Sequence, residues 1–374
     1  MSNTQKPKKI IISGGGSGGH VFPALAIADA IRAKEPDTEI LFVGAKGKIE
    51  MEKVPLAGYP IKGLWISGLH RKLTMRNLAF PFKLISSLAK SFGIVRSFKP
   101  DVVVGVGGFA SGPVLQVAAW LGIPTLIQEQ NSFPGLTNRL LAKRVDKICI
   151  AYDQMERYFP KDKLVMTGNP VRKVFGEEKI DQATALAHFG LEPNKKTLFS
   201  FGGSLGAQSI NEALAANAEL MEKHPEVQLL WQAGKLYYDR FKDSAMAQLP
   251  NVKIQPFIDR MDLAYAITDL VIARAGALTI AELSQVSQPA ILIPSPNVAE
   301  DHQTMNAKAL KEIKAAVLLP DPQAKENVIS LAVEVVHDQS RLDELAQNVH
   351  QLATPEASSL IAEEVFKLSS SKGG

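Results

Sequence analysis

This sequence predicts an α/β protein of two Rossmann-like, doubly wound parallel-sheet domains facing each other across a cleft. Short apolar runs alternate along the chain with longer helix-like ones. The short runs are continuously apolar and β-branched rather than alternating, the mark of strands buried on both faces. A strand, a glycine-rich turn and a helix start occur together twice, at residues 9–20 and again at 197–207. The length of 374 residues suits two such domains, each with ligand-prone loops at the carboxyl ends of its strands.

The first of these stretches is Lys9-Ile10-Ile11-Ile12-Ser13-Gly14-Gly15-Gly16-Ser17-Gly18-Gly19-His20. Its glycines allow a ligand close to the backbone. The helix that follows offers unpaired N–H groups and a positive dipole end. Strands are expected next at 39–44, 61–66, 102–106, 125–128, 147–151 and 164–167. Residues 102–128 carry no charge and are long enough to span a bilayer. Gly105, Gly107, Gly108, Gly112, Pro113, Gly122 and Pro124 instead divide them into strand, turn, helix and strand. Residues 170–196 are polar and read as a linker with one helix, Gln182 to Phe189, stopped by Gly190. Further strands are expected at 197–201, 227–232, 252–255, 269–273, 290–293 and 316–319. Leu360, Ile361, Val365 and Leu368 then give one apolar helical face.

Composition narrows the function. The hydrophobic fraction of 46% and charged fraction of 21% are those of an ordinary globular protein. The single cysteine, Cys149, excludes a disulfide framework or a Cys/His metal site. A net charge of +4 gives no overall signal for nucleic acid. The apolar run 10–12 is too short for a secretory signal.

Gly14, Gly16 and Gly19 fit G-x-G-x-x-G, but the second strand ends Val43-Gly44-Ala45-Lys46, without the acid that a dinucleotide ribose needs. A Walker loop needs G-K-[ST], and His20 stands there instead. His20 is open to two readings: a helix-start residue that caps or packs, or a proton acceptor near neutral pH. The second half carries Arg274-Ala275-Gly276-Ala277-Leu278-Thr279-Ile280-Ala281-Glu282. Thr279 and Glu282 have capping-box spacing. The same spacing suits turn amides on a phosphate with a carboxylate on a ribose diol. Asp301-His302-Gln303-Thr304 follows a strand and a proline-rich turn, and is either a ligand site or a solvated helix start.

Between Glu52 and Asp101 no residue is acidic, while Lys53, Lys62, Arg71, Lys72, Arg76, Lys83, Lys90, Arg96 and Lys99 are interleaved with aliphatic and aromatic residues. Such a stretch suits an anionic lipid surface. The plainer reading puts its apolar residues in the core and its charges in water.

Taken in order, the motifs closely resemble the MurG family of peptidoglycan glycosyltransferases. The matching segments are 15–24, 105–113, 128–135 (Gln128-Glu129-Gln130-Asn131-Ser132-Phe133-Pro134-Gly135), Thr167-Gly168-Asn169-Pro170-Val171-Arg172, Gly202-Gly203-Ser204-Leu205-Gly206-Ala207, 274–282 and Asp301–Thr304. The resemblance implies the GT-B fold. It divides the chain into an acceptor and membrane-facing domain, 1–169 plus a C-terminal helix 355–374, and a donor-binding domain, 170–354.

It further implies transfer of N-acetylglucosamine from UDP-GlcNAc to lipid I with inversion, without cofactor or metal, at the cytoplasmic face of the membrane. By resemblance, Ser17, Gly18 and Gly19 bind at the donor sugar and diphosphate, with Asn131 and Arg172 near them, and Ser204 contacts the phosphates. Ile258 meets the uracil. Ala277, Leu278, Thr279, Ile280, Ala281 and Glu282 hold phosphate and ribose, and Gln303 reads the sugar.

The acceptor hydroxyl must lose a proton, for which His20 is the expected base and Glu129 the reserve. A sugar-nucleotide epimerase and a nucleotide-sugar-binding protein without chemistry are the alternatives. The sequence departs from the family where a glycine is usual, at 312–316, which reads Glu312-Ile313-Lys314-Ala315-Ala316. It also has Ser17 where threonine is common, keeping the hydroxyl.

Overall fold

The computed structural model describes residues 7–68, 79–171, 180–203, 205–298 and 301–370. The chain forms two compact units, Met1–Arg172 with Thr354–Gly374, and Lys173–Ala353.

The first unit holds a seven-stranded sheet in the order β3-β2-β1-β4-β5-β6-β7. Its strands are β1 (Lys9–Ser13), β2 (Glu39–Ala45), β3 (Ile61–Leu64), β4 (Val102–Gly105), β5 (Thr125–Glu129), β6 (Lys147–Ile150) and β7 (Leu164–Met166). Every pairing is parallel. Successive side chains of a strand point to opposite faces, and here both faces are covered. Ile11, Val103 and Ile127 pack with Ile94, Val114 and Leu115 on one face. Ile10, Ile12, Val102, Val104 and Leu126 pack with Ile27, Ile31, Ile361 and Val365 on the other. The last two belong to the C-terminal helix Ala357–Ser370, which lies against helix Gly18–Lys34. Lys34 pairs there with Glu363 at 2.7 Å. Residues 102–128 form strand, helix and strand, as expected. No described helix is long and apolar enough to cross a membrane.

The second unit holds a six-stranded sheet in the order β10-β9-β8-β11-β12-β13. These are β8 (Lys196–Phe201), β9 (Val227–Gln232), β10 (Val252–Gln255), β11 (Leu270–Ala273), β12 (Ala290–Leu292) and β13 (Val317–Leu318). All its pairings are parallel as well. Helix Gln182–Phe189 stands where the linker helix was expected. Asp181 caps it by accepting from the Thr184 N–H, and Gly190 ends it at φ +65°.

Strand order reverses between β1 and β4 in the first sheet, and between β8 and β11 in the second. Ligands of such sheets bind outside the carboxyl ends of the strands at the point of reversal. The turns there are the glycine-rich segments after β1, β4 and β8, and the small-residue segment after β11.

Candidate active site

In the first unit the chain leaves β1 through Gly15 and Gly16, at φ +148° and +93°. Beneath this turn lies a residue that no motif pointed to. Glu50 is 1% exposed, and its carboxylate accepts from the Gly16 N–H and the Ala45 N–H, both at 2.9 Å. A Cβ on Gly15 or Gly44 would strike this side chain, so those glycines make room for a buried charge. Ser17 is the N-cap of helix Gly18–Lys34 and makes no side-chain cap bond. The helix-start amides of Gly18 and Gly19 have no partner within the helix.

His20 sits in the first helical turn. Its ring lies against Gly107 and Gly108, whose φ values are +88° and +79°. A Cβ at Gly107 would come within 2.9 Å of His20 Cε1, and one at Gly108 within 3.2 Å of Cδ2. The ring therefore fits only because those two positions lack side chains, and it caps nothing.

Nδ1 of His20 is buried without a hydrogen bond of normal geometry, and so is Oε1 of Gln130. Both lie within 4 Å of the Cβ that Gly107 lacks. Gln130 is itself held, its Nε2 donating to the Val106 carbonyl at 2.9 Å and contacting Gln128 Oε1. Asn169 joins the set, accepting from Gln128 at 3.1 Å and donating to the Gln130 carbonyl at 2.9 Å. Burial holds the His20 imidazole below the usual histidine range, while Glu129, Gln130, Val106 and Glu50 act against that.

Glu129 is fully engaged. One oxygen accepts from the Asn131 N–H at 3.0 Å and Asn131 Nδ2 at 3.1 Å, the other from the Gly135 N–H at 3.0 Å and Asn138 Nδ2 at 2.9 Å. A carboxylate has about four lone-pair sites, and these four donors occupy them. Glu129 shapes the loop that presents Asn131, and no oxygen is left over to take a proton from an acceptor.

In the second unit β8 runs into Gly202 and Gly203, and the chain turns back at Gly206. Gly203 and Gly206 have φ +82° and +81°. The turn abuts the end of β9 so closely that a Cβ on Gly234 would lie 2.5 Å from Gly206 Cα. The segment 274–282 follows β11. Arg274 acts as a strut, donating to the Ile293 and Pro294 carbonyls at 3.0 and 3.1 Å and bonding Asp321 and Ser209.

Helix Ala277–Gln285 has Gly276 as its N-cap. Thr279 is thus its third residue and Glu282 its sixth, so the capping-box reading of their spacing fails. The orphan amides of this helix start belong to Ala277, Leu278 and Thr279. Ile280 already donates to the Gly276 carbonyl at 3.0 Å and buries its side chain in the core. Ala281, next in the helix, is half-buried. Glu282 is half-buried too and accepts from the Tyr265 hydroxyl at 3.4 Å.

Two further segments join this site. Ile258 is buried, and its N–H donates to Gln232 Oε1 at 2.8 Å. Gln303, in helix His302–Glu312, accepts from the Ser295 N–H at 2.9 Å. Asn306 in the same helix ties it to the 274–282 segment, donating to the Ala275 carbonyl at 3.2 Å. The helix ends in the segment where the family's glycine is missing. Lys314 takes the left-handed conformation itself, at φ +54°, and pairs with Glu344 at 2.7 Å.

Each sheet thus gathers its own share of the expected residues. Ser17, Gly18, Gly19, His20, Glu129 and Asn131 lie around the first reversal point. Ile258, the 277–282 segment and Gln303 lie around the second. Arg172 and Ser204 lie outside the described residues, as do Arg71, Lys72 and Arg76 of the basic stretch.

That stretch shows an apolar surface. In helix Phe80–Phe98, Phe82 is 70% exposed and Ile85 65%. On the neighbouring helices Ser111–Trp120 and Leu136–Leu141, Trp120, Leu136 and Leu140 are exposed as well. Sequence reasoning missed these last three, since each falls in a run that reads as ordinary amphipathic helix.

Known proteins share this fold. The N-terminal domain of glycosyltransferase family 28 matches residues 10–150, and its C-terminal domain residues 197–363. The UDP-N-acetylglucosamine–N-acetylmuramyl-(pentapeptide) pyrophosphoryl-undecaprenol N-acetylglucosamine transferase of Flavobacterium psychrophilum is 52% identical over 360 residues, 96% of this chain and 97% of the relative. The protein of the same name from Bacteroides fragilis is 49% identical, over 96% of this chain and 95% of its own. Among solved structures, MurG of Acinetobacter baumannii superposes with a TM-score of 0.73 at 29% identity, covering 96% of this chain and all of that one. A UDP-GlcNAc 2-epimerase from Neisseria meningitidis, at 13% identity and a TM-score of 0.65 over 96% of this chain and 100% of its own, shares the fold alone. With near-half identity to its relatives across almost their full length, the chain belongs to the MurG family of glycosyltransferases.

Proposed function

We propose that this chain moves N-acetylglucosamine from UDP-GlcNAc to the muramoyl hydroxyl of lipid I, giving lipid II in peptidoglycan synthesis. The observation that carries this is identity of 52% over 96% of the chain to a transferase named for that reaction. The acceptor oxygen attacks the anomeric carbon from the face opposite the diphosphate, the bond to UDP breaks, and configuration inverts. Negative charge builds on the leaving diphosphate, which the turn at 202–206 and the helix start at 277–279 are suited to receive. Glu282 accepts from the ribose diol, and Gln303, its oxygen already engaged, offers a sugar hydroxyl its Nε2 donor.

His20 is the base. Burial favours its neutral form, the form that accepts a proton. If Nδ1 carries the ring hydrogen toward Gln130 Oε1, Nε2 is left as the acceptor. Glu129 positions Asn131 rather than standing in for that base.

The enzyme works peripherally at the cytoplasmic face of the membrane. Exposed Phe82, Ile85, Trp120, Leu136 and Leu140, with Lys83, Lys143 and Arg144 alongside in sequence, support this reading. Each basic residue near an anionic surface is worth about 1 kcal/mol. Phe82→Ser with Ile85→Ser should release the protein from phosphatidylglycerol vesicles in co-sedimentation, and retained binding would count against the surface.

The deciding experiment incubates the protein with labelled UDP-GlcNAc, with and without a short-chain lipid I analogue. Label in the lipid product supports transfer. Epimerised sugar without acceptor identifies an epimerase, and no turnover in either tube identifies a binding protein.

A further inference from the structure

Two parts of the second unit that serve different ends of a nucleotide are joined by one side chain. Gln232 is the last residue of β9 and is buried. Its Nε2 donates to the Gly203 carbonyl at 3.2 Å, in the glycine turn after β8. Its Oε1 accepts from the Ile258 N–H at 2.8 Å, beyond β10. A carbonyl needs a donor and an N–H needs an acceptor, so only one orientation of the amide serves both. A shift of either segment breaks one of the two bonds.

The second bond also limits what Ile258 can read. With its N–H committed to Gln232, the backbone group left at Ile258 is its carbonyl, an acceptor. Uracil presents N3–H, a donor, whereas cytosine presents a lone pair at N3. A carbonyl held at this place selects the first and repels the second.

We propose that Gln232 is a positioning residue that locks the base-reading carbonyl of Ile258 to the diphosphate turn and thereby sets the preference for uracil. The inference rests on the reading of the second unit as the UDP-GlcNAc site. Gln232 touches no substrate in this account. It acts through Ile258 and Gly203.

The test uses the full-length protein, with UDP and CDP as competing ligands in calorimetry and as inhibitors of transfer. Gln232→Met removes both bonds with little change of volume. UDP affinity should fall about tenfold and the UDP:CDP affinity ratio about tenfold, with the KM for UDP-GlcNAc rising more than kcat falls. Gln232→Glu keeps the acceptor for Ile258 and loses the donor to Gly203. There UDP affinity should fall while the UDP:CDP ratio holds.

A merely structural role would lower the melting temperature and leave the ratio unchanged in both variants, which overturns the proposal. If Gln232→Met does not fold, the ratio in Gln232→Glu decides: a ratio that collapses although the Ile258 bond is kept rules the coupling out. Wild-type protein that fails to prefer UDP over CDP would instead remove the functional reading itself. Glu282→Ala, which should weaken UDP and CDP alike, separates that failure from a failure at Gln232.

Discussion

The two glycine turns occupy equivalent places, each at the reversal point of a parallel sheet, but what lies beneath them differs in charge. Under the first turn is the buried carboxylate of Glu50, bonded to the Gly16 N–H. Under the second is the neutral amide of Gln232, bonded to the Gly203 carbonyl. A carboxylate takes up an amide donor that a phosphate would otherwise use, and repels the phosphate as well. A neutral amide that bonds a carbonyl competes for none of the turn's N–H groups, of which that of Gly206 donates to the Gly203 carbonyl at 3.1 Å. Two turns with the same glycine signature are therefore suited to different work. The first is shaped to seat His20 against Gly107 and Gly108, and offers an anion only the helix-start amides at Gly18 and Gly19. The second carries no such charge beneath it, which suits the diphosphate role proposed for it.

The largest expected effect tests the chemical side of this contrast. His20→Ala should lower the transfer rate by about 10²–10⁴, with UDP affinity by calorimetry unchanged. Near-normal turnover would pass the base role to water, since Glu129 has no free oxygen. Next comes the binding side. Glu282→Ala should weaken UDP by roughly 10- to 150-fold, the range for a lost hydrogen bond to a charged group, while melting temperature changes little, since no capping box is lost and the bond from the Tyr265 hydroxyl is long, at 3.4 Å.

Glu50→Gln puts a donor where one of two backbone N–H groups needs an acceptor. It should cost on the order of 2 kcal/mol in denaturant unfolding and slow transfer, but leave UDP affinity alone. A fall in UDP affinity to match that of Gln232→Met would erase the distinction between the turns.

The pH profile sharpens the same point. With His20 as base, the acid limb of kcat reports its loss of the neutral form and should lie below the ordinary histidine value of 6.5. A nearby carboxylate favours imidazolium, so removing the Glu50 charge should move that limb to still lower pH. A shift upward would contradict the assignment. The smallest effect concerns a place where glycine is absent. Lys314 is held at φ +54°, and Lys314→Gly should stabilise the second unit by about 1 kcal/mol in thermal unfolding.

Much of this was legible in the sequence because it follows from runs of residues. Buried parallel strands need uninterrupted apolar runs, and 40–43 and 270–273 are such runs. The linker helix announced itself through Gly190, which stops it. What stayed hidden depends on single polar residues whose partners are distant in the chain. Glu50 opens a short helix whose first turn also holds Glu52, and nothing local marks it as buried. Gln232 ends an apolar strand, where a glutamine reads as the edge of the core.

The Thr279–Glu282 spacing left two readings open for a related reason. A capping box depends on where the helix starts, and Gly276 starts it early. The exposed Trp120, Leu136 and Leu140 follow helical periodicity as core residues do, and only packing shows that nothing in their own unit covers them.

The C-terminal helix has a consequence for how the protein is made. Residues 173–353 are inserted into the first unit, whose second face is completed by Ile361 and Val365. On the ribosome, domains generally fold as they emerge, N-terminal ones first. Here the unit begun first lacks part of its wall until the whole of the other has been synthesised. Until then Ile10, Ile12, Ile27 and Ile31 have no Ile361 or Val365 to cover them. The second unit therefore has the opportunity to finish folding first, and the nascent first unit presents an apolar seam that a chaperone would recognise until residues 357–370 close it.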